Sequence, residues 1–99
     1  MLFYAAYTWH AGTTIEQVRA RHDQQFRAGA LRTAGWRGFY ELAGGGAGFL
    51  LLEVDEPGEL TALLQPYMDL MSWDVRAIVA NDIAGFIQQV EQRATSASA

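Results

Sequence analysis

The sequence predicts an α+β domain, one four-stranded antiparallel sheet with helices packed on it. Three observations carry that expectation. Residues 36–55 read as a hairpin, two strand-like arms joined by the glycine run A-G-G-G-A-G of residues 43–48. A strand-like and then a helix-like run precede this hairpin, and a helix-like and then a strand-like run follow it, which gives the order βαββαβ. The chain has 99 residues, the size of one domain. We therefore expect residues 1–93 to form a single domain and residues 94–99, small and polar, to be a disordered tail.

Each element has its own local reason. Residues 2–9 (L-F-Y-A-A-Y-T-W) are rich in aromatics, and neither alternating face is strongly polar. A strand covered on both sides is a central strand. His10-Ala11-Gly12 is a turn, and Thr13 with Glu16 fits a capping box. Ile15, Val18, His22 and Phe26 form the stripe of the first helix, and Gly29 stops it. Residues 31–42 are the second strand, with a bulge expected near Gly35 and Gly38. Residues 49–55 return as the third. Asp55-Glu56-Pro57 opens the second helix with an acidic cap and an early proline. Its stripe is Leu60, Leu63, Leu64, Tyr67, Met68 and Met71, and Pro66 should kink or break it, because proline supplies no N–H to the preceding turn. Residues 73–80 are the fourth strand. Asn81 or Asp82 caps a last helix with the stripe Ile83, Phe86, Ile87 and Val90.

Right-handed crossovers put the first two helices on one face of the sheet. The order is then ferredoxin-like, βαββαβ plus a C-terminal helix. The other sheet face carries Phe49 and Leu51 with aromatic neighbours. So large an apolar face needs a cover, and a second copy of the sheet is the simplest one.

Composition excludes several functions. The formal charge is −4 with scattered acids, so no basic footprint for nucleic acid exists. The seven basic residues are all arginine. Without cysteine there is neither a disulfide nor a thiol nucleophile. Two histidines specify no metal site and no haem ligation, so we expect no metal and no cofactor. No apolar run reaches the roughly 18–20 residues of a membrane span, and the N-terminus has no signal-peptide pattern. The expectation is a cytoplasmic protein that touches neither nucleic acid nor membrane.

The segments M-L-F-Y-A-A-Y-T-W, W-R-G, G-F-L-L-L-E-V-D and L-x-x-L-L-x-x-Y-x-D-L, in that order and spacing, resemble a small bacterial family of unknown function in the dimeric α+β barrel superfamily. The similarity covers most of residues 1–90, with Trp9-His10 and the proline-broken second helix as departures. The resemblance implies a homodimer whose two sheets face each other around a cavity in each half. Members of that superfamily include cofactor-free polyketide monooxygenases, polyketide cyclases, muconolactone isomerases, haem enzymes and ligand-sensing domains, so the fold does not choose the chemistry.

Candidate chemistry starts with Glu53. Strand alternation places Phe49, Leu51 and Glu53 on one face and Leu50, Leu52 and Val54 on the other. The aliphatic set suits the helix layer, which leaves Glu53 facing the dimer cavity as a general acid or base. The alternative is an ion pair with an arginine. His10 shares the face of Tyr4 and Thr8 and would shuttle protons at the cavity mouth, or be an ordinary loop histidine. His22 on the helix stripe reads as buried and satisfied. Tyr4, Trp36, Tyr40 and Trp73 would line the pocket for a planar ligand or serve as core and interface residues. Arg76 would bind a carboxylate or enolate, or pair with Glu53 or Asp74. The glycine run lacks the lysine and hydroxyl residue of a P-loop and is a hairpin turn. Together these predict a small homodimeric enzyme acting by acid–base chemistry on a small aromatic or polyketide-like molecule. A cyclase or isomerase fits first, and a cofactor-independent monooxygenase is a subcase. The alternative is a non-catalytic small-molecule-binding or structural dimer.

Overall fold

The computed structural model describes residues 1–98. Its elements are β1 (Leu2–Trp9), α1 (Ile15–Arg27), β2 (Trp36–Glu41), β3 (Ala47–Glu53), α2 (Pro57–Leu64), a 3-10 turn (Gln65–Tyr67), β4 (Met71–Ile78) and α3 (Ile83–Ser98). The strands form one antiparallel sheet in the order β2-β3-β1-β4, with β1 in the interior. This is the ferredoxin-like arrangement. The core joins Ala5, Tyr7, Leu50, Leu52 and Met71 from the sheet to Val18 of α1 and Leu60 and Leu64 of α2, so both helices cover the same sheet face.

Local chemistry sets the element ends, sometimes one or two residues from expectation. The capping box belongs to Thr14 and Gln17: the Thr14 Oγ1 accepts from the Gln17 N–H, and the Gln17 side chain accepts from the Thr14 N–H. Thr13, expected in that role, instead donates its hydroxyl to the Leu70 carbonyl at 2.8 Å. It ties the turn after β1 to the turn before β4. Gly29 ends α1 in the left-handed region, φ +71°. The second strand is shorter than expected, because residues 31–35 carry no strand pairing before β2 opens at Trp36. The expected bulge is present: Trp36 opposes Leu52 while Gly38 opposes Leu51, so Arg37 is the extra residue. Gly44, Gly45 and Gly46 turn the hairpin with φ between +81° and +97°.

Pro66 ends the regular helix, and the chain tightens into the 3-10 turn there. The predicted helical stripe therefore stops at Tyr67. Met71 joins β4, and Met68 is left exposed. Pro57 sits at the start of α2, but Glu56 makes no side-chain capping bond. Asp82 caps α3 by accepting the Gly85 N–H at 3.1 Å. α3 continues as helix to Ser98, through most of the stretch expected as a disordered tail, and Ala99 lies outside the described residues. No helix among the described residues is long and apolar enough to cross a membrane.

Candidate functional site

The alternation expected for β3 holds, since Gly48, Leu50 and Leu52 are buried toward the helices and Phe49, Leu51 and Glu53 face the open side. What lies on each side differs from expectation. A cavity lies on the helix side, between the sheet and the helix layer. It holds about 350 Å³. Its floor is Tyr7 and Trp9 of β1, Leu50 of β3, Trp36 and Phe39 of β2, and Met71 and Trp73 of β4. Its roof is Val18 and His22 of α1 with Leu63, Leu64 and Tyr67 from α2 and the 3-10 turn. Arg19 and Glu41, both exposed, stand at its open side. All three tryptophans of the chain line it.

The polar groups of this cavity form one neighbourhood. The His22 Nδ1 and the Tyr67 hydroxyl are 2.8 Å apart, with ring centroids 5.2 Å apart. The other ring nitrogen of His22 has no partner among the described residues. Burial lowers the His22 pKa from its ordinary 6.5, against smaller opposing effects of Asp23 and Glu41. The ring is therefore neutral at pH 7. Burial raises the Tyr67 pKa, with the positive Arg21 opposing, so its hydroxyl stays protonated. Tyr7 is raised by burial and then by the negative charge of Glu41. Glu41 thus acts electrostatically on both Tyr7 and His22. The indole nitrogens of Trp36 and Trp73 are buried without a hydrogen-bond acceptor. A buried donor left unpaired costs about 1–3 kcal/mol, and no acceptor among the described residues relieves it.

Arg21, one turn along α1 from Gln17, fixes the roof. Its guanidinium holds the Asp69 carboxylate through two hydrogen bonds of 2.7 and 2.8 Å and also donates to the Pro66 carbonyl. This fork pins the 3-10 turn that carries Tyr67 to the helix that carries His22. The hydrogen bond from Arg21 holds the Asp69 carboxyl below its usual range.

The residues expected to form the site divide between the two sheet faces. Trp36 and Trp73 line the helix-side cavity. Tyr4, Thr8, Tyr40, Phe49, Leu51, Glu53 and Arg76 lie on the open face, as their pairing shows: Tyr4 opposes Leu51 and Arg76, and Tyr40 opposes Phe49. There Tyr4, Phe49 and Tyr40 make a row of rings with centroids 5.1 and 5.0 Å apart. Arg76 pairs with Asp74 at 3.4 Å, one of its expected alternatives.

Glu53 and His10 are not brought together. Glu53 sits opposite Leu2 at one end of β1, and His10 follows Trp9 at the other. At about 3.3 Å of rise per residue they stand roughly 25 Å apart. Glu53 has an ion-pair partner, and it is not an arginine: the Met1 ammonium lies 2.6 Å from its Oε1, with both groups substantially exposed. Glu53 also borders a second hollow, of about 480 Å³, with Arg32, Trp36, Glu59 and Leu63. The His10 Nε2 meets the Met68 carbonyl at 2.9 Å, and its Nδ1 lies 3.4 Å from the Ser72 hydroxyl. Both nitrogens are engaged at the chain surface.

Sequence reasoning missed Tyr7, Glu41 and Tyr67 and assigned His22 a purely structural role. The bulge at Arg37 is why Glu41 was hidden, because it returns Phe39 and Glu41 to the side of Trp36 and sends Tyr40 to the opposite one. Among the described residues, no three metal-ligating side chains come together.

Comparison with known proteins gives one family. A family model described as a domain of unknown function, DUF3303, matches residues 1–91. No curated protein matches the chain.

Proposed function

The chain belongs to the DUF3303 family of unknown function, and we propose that it binds one small, planar, largely apolar molecule in the helix-side cavity and moves a proton on it. The observation that supports this most is the placement of the His22–Tyr67 hydrogen bond inside a cavity walled by Tyr7, Trp9, Trp36, Phe39 and Trp73. Its volume lies near the lower end for small-molecule sites, about 300–1,000 Å³, and apolar walls with a few convergent polar groups are their usual make-up.

The chemistry follows from the histidine. With Nδ1–H donated to the Tyr67 oxygen, Nε2 is left as a base. Once Nε2 has taken a proton, the Nε2–H of the resulting imidazolium is the acid, and giving that proton up restores the starting tautomer. The pair therefore serves both halves of a proton transfer, taking a proton from a carbon beside a carbonyl and returning it elsewhere. Burial disfavours the imidazolium formed in between, which keeps it short-lived, and the negative Asp23 and Glu41 offset part of that cost. Isomerisation or cyclisation of an aromatic or polyketide-like ketone needs no more than this.

Because all three tryptophans line the cavity, intrinsic fluorescence reports on it. Titration with 2-tetralone, a bicyclic aromatic ketone, should quench that emission saturably. Proton NMR in D2O should then show faster exchange of the ketone's α-protons with the protein than without it. His22→Ala should lose that acceleration by at least tenfold and still quench. Quenching with no acceleration leaves a binding protein in place of an enzyme. Absence of both for a panel of aromatic ketones, phenols and acids ends the proposal.

A further inference from the structure

α3 is built as an arm. Its apolar residues Ile83, Phe86, Ile87 and Val90 share one stripe. Ile83, Phe86 and Ile87 are 82%, 59% and 50% exposed, and Val79 just before the helix is 84% exposed. None of them packs against the core. The side away from this stripe carries Gln88 and Gln89, and Glu91 flanks it. A helix apolar on one side only belongs between an apolar surface and water.

The arm also points away from its own sheet. The molecule is 63 Å long but only 30 and 16 Å across. β4 accounts for about 26 Å of extended chain, residues 79–82 for about 13 Å, and α3 for about 24 Å. Laid end to end, these three match the long dimension, which an α3 extending beyond the sheet accounts for.

The same chain exposes a second unpartnered apolar surface, the open sheet face. Its centre is the row Tyr4–Phe49–Tyr40, with Leu2, Leu51 and Ile78 around it. The row is roughly 10 Å long across three strands, by their spacing of about 4.8 Å. The α3 stripe from Ile83 to Val90 has the same length, at about 1.5 Å per residue. One surface is a ridge with a polar back, and the other a flat aromatic floor.

We propose that two copies of the chain exchange these arms, the α3 of each lying with its apolar stripe on the open sheet face of the other. Exchange through a two-fold axis covers both surfaces in both copies and leaves neither over. It turns each sheet into a three-layer unit, with its own α1 and α2 on one face and the partner's helix on the other. Direct sheet-to-sheet packing would cover the aromatic rows and leave both α3 stripes in water. This inference concerns the face away from the His22 cavity and stands independently of the ligand proposal.

The chain has no cysteine, so introduced thiols can be cross-linked without background. Phe86→Cys and a size-tagged Phe49→Cys chain are mixed, allowed to exchange and oxidised. The expected product is the mixed disulfide, several-fold over either self-linked dimer. Predominant Phe49→Cys self-linkage would establish sheet-on-sheet packing, and predominant Phe86→Cys self-linkage helix-on-helix packing. A chain carrying both substitutions that closes only on itself would show the arm folding back. Each of these three results overturns the proposal. Sedimentation of the Phe86→Asp/Ile87→Asp chain decides the matter if no cross-link forms. Both positions are exposed in the single chain, so the domain should still fold. Its dimer dissociation constant should rise at least tenfold, and an unchanged constant, or a wild-type monomer at 100 µM or so, refutes the exchange.

Discussion

On one side of β3, Leu50 and Leu52 are sealed under two helices. On the other side of the same strand, Phe49, Leu51 and Glu53 remain partly exposed. The two faces have similar apolar content and differ in what covers them. Where α1 and α2 lie over the sheet, they do not close on it uniformly. Small and aliphatic residues at Ala5, Leu50 and Leu52 are met by Val18, Leu60 and Leu64 and make the core. The large rings of Trp9, Trp36 and Trp73 border the cavity instead. On the open face, comparable rings stack on one another in a row. Covered aromatics around a histidine make a place for a ligand. Uncovered aromatics in a flat row make a place for a helix or a sheet. The polar residues that each face gathers follow the same division, with mutually acting groups (Tyr7, Glu41, His22, Tyr67) on the first and a pair of exposed ion pairs on the second.

The sharpest way to break this contrast is to truncate one leucine on each face. Leu52 is 1% exposed, and Leu52→Ala should lower the unfolding free energy by about 2–5 kcal/mol through lost burial and the void left behind. Leu51→Ala, one residue along, should cost less than half of that in a dissociated chain. Urea denaturation of the two variants tests it. Equal losses would mean that the open face is as well packed as the core.

Next in size is Gly48, which faces the helix side at the hairpin end of β3. A Cβ there would strike the Tyr40 carbonyl and come within 2.6 Å of the Tyr7 hydroxyl. Gly48→Ala should therefore destabilise by roughly 1–3 kcal/mol. It should also displace Tyr7, which is seen as a shift of the tryptophan emission maximum, because the Tyr7 and Trp73 rings lie 5.6 Å apart.

The cavity pair gives a smaller and pH-dependent effect. Tyr67→Phe removes one hydrogen bond and should cost about 1 kcal/mol at pH 7.5. The folded-state pKa of His22 is lowered, so the folded protein binds fewer protons than the unfolded chain as pH falls. Its contribution is fully present above the ordinary value of 6.5 and is lost as pH falls from there through the lowered folded pKa. Melting temperatures should accordingly drop as pH goes from 7 to 5, and His22→Gln should flatten that drop. An equally steep profile in the variant would show that the histidine is not what titrates.

Much of the fold was legible because its determinants are local. Glycine at positive φ, proline at the end of α2, and two-residue alternation along β1 and β3 act within a few residues of themselves. The site was less legible because its determinants are not local. His22 and Tyr67 stand 45 residues apart in sequence, and nothing near either announces the other. The stripe that placed His22 inward was read correctly, and the cavity beside it was not, because periodicity says which side a residue faces and not how closely the layers meet there. Tyr7 shared an otherwise apolar face and drew no notice. A single extra residue at Arg37 then exchanged the faces of everything after it in β2, which concealed Glu41 and separated Trp36 from Tyr40, with which plain alternation had grouped it. Sequence alternation assigned Glu53 its correct face, but its partner is the chain's own amino group, which carries no side-chain signal.

That last pair gives the smallest expected effect and bears most directly on which face is chemically active. Glu53 and the Met1 ammonium are exposed, and an exposed ion pair is worth about 0–1 kcal/mol. Glu53→Gln should therefore change the unfolding free energy by less than about 1 kcal/mol, with the difference shrinking further in 0.5 M salt as the charges are screened. The same variant should leave the 2-tetralone titration and its proton exchange unaltered, since Glu53 does not line the cavity that holds His22. A tenfold loss of exchange in Glu53→Gln with full activity retained in His22→Ala would move the chemistry to the open face. The roughly 25 Å between Glu53 and His10 would then require that any second acid–base group come from another copy of the chain.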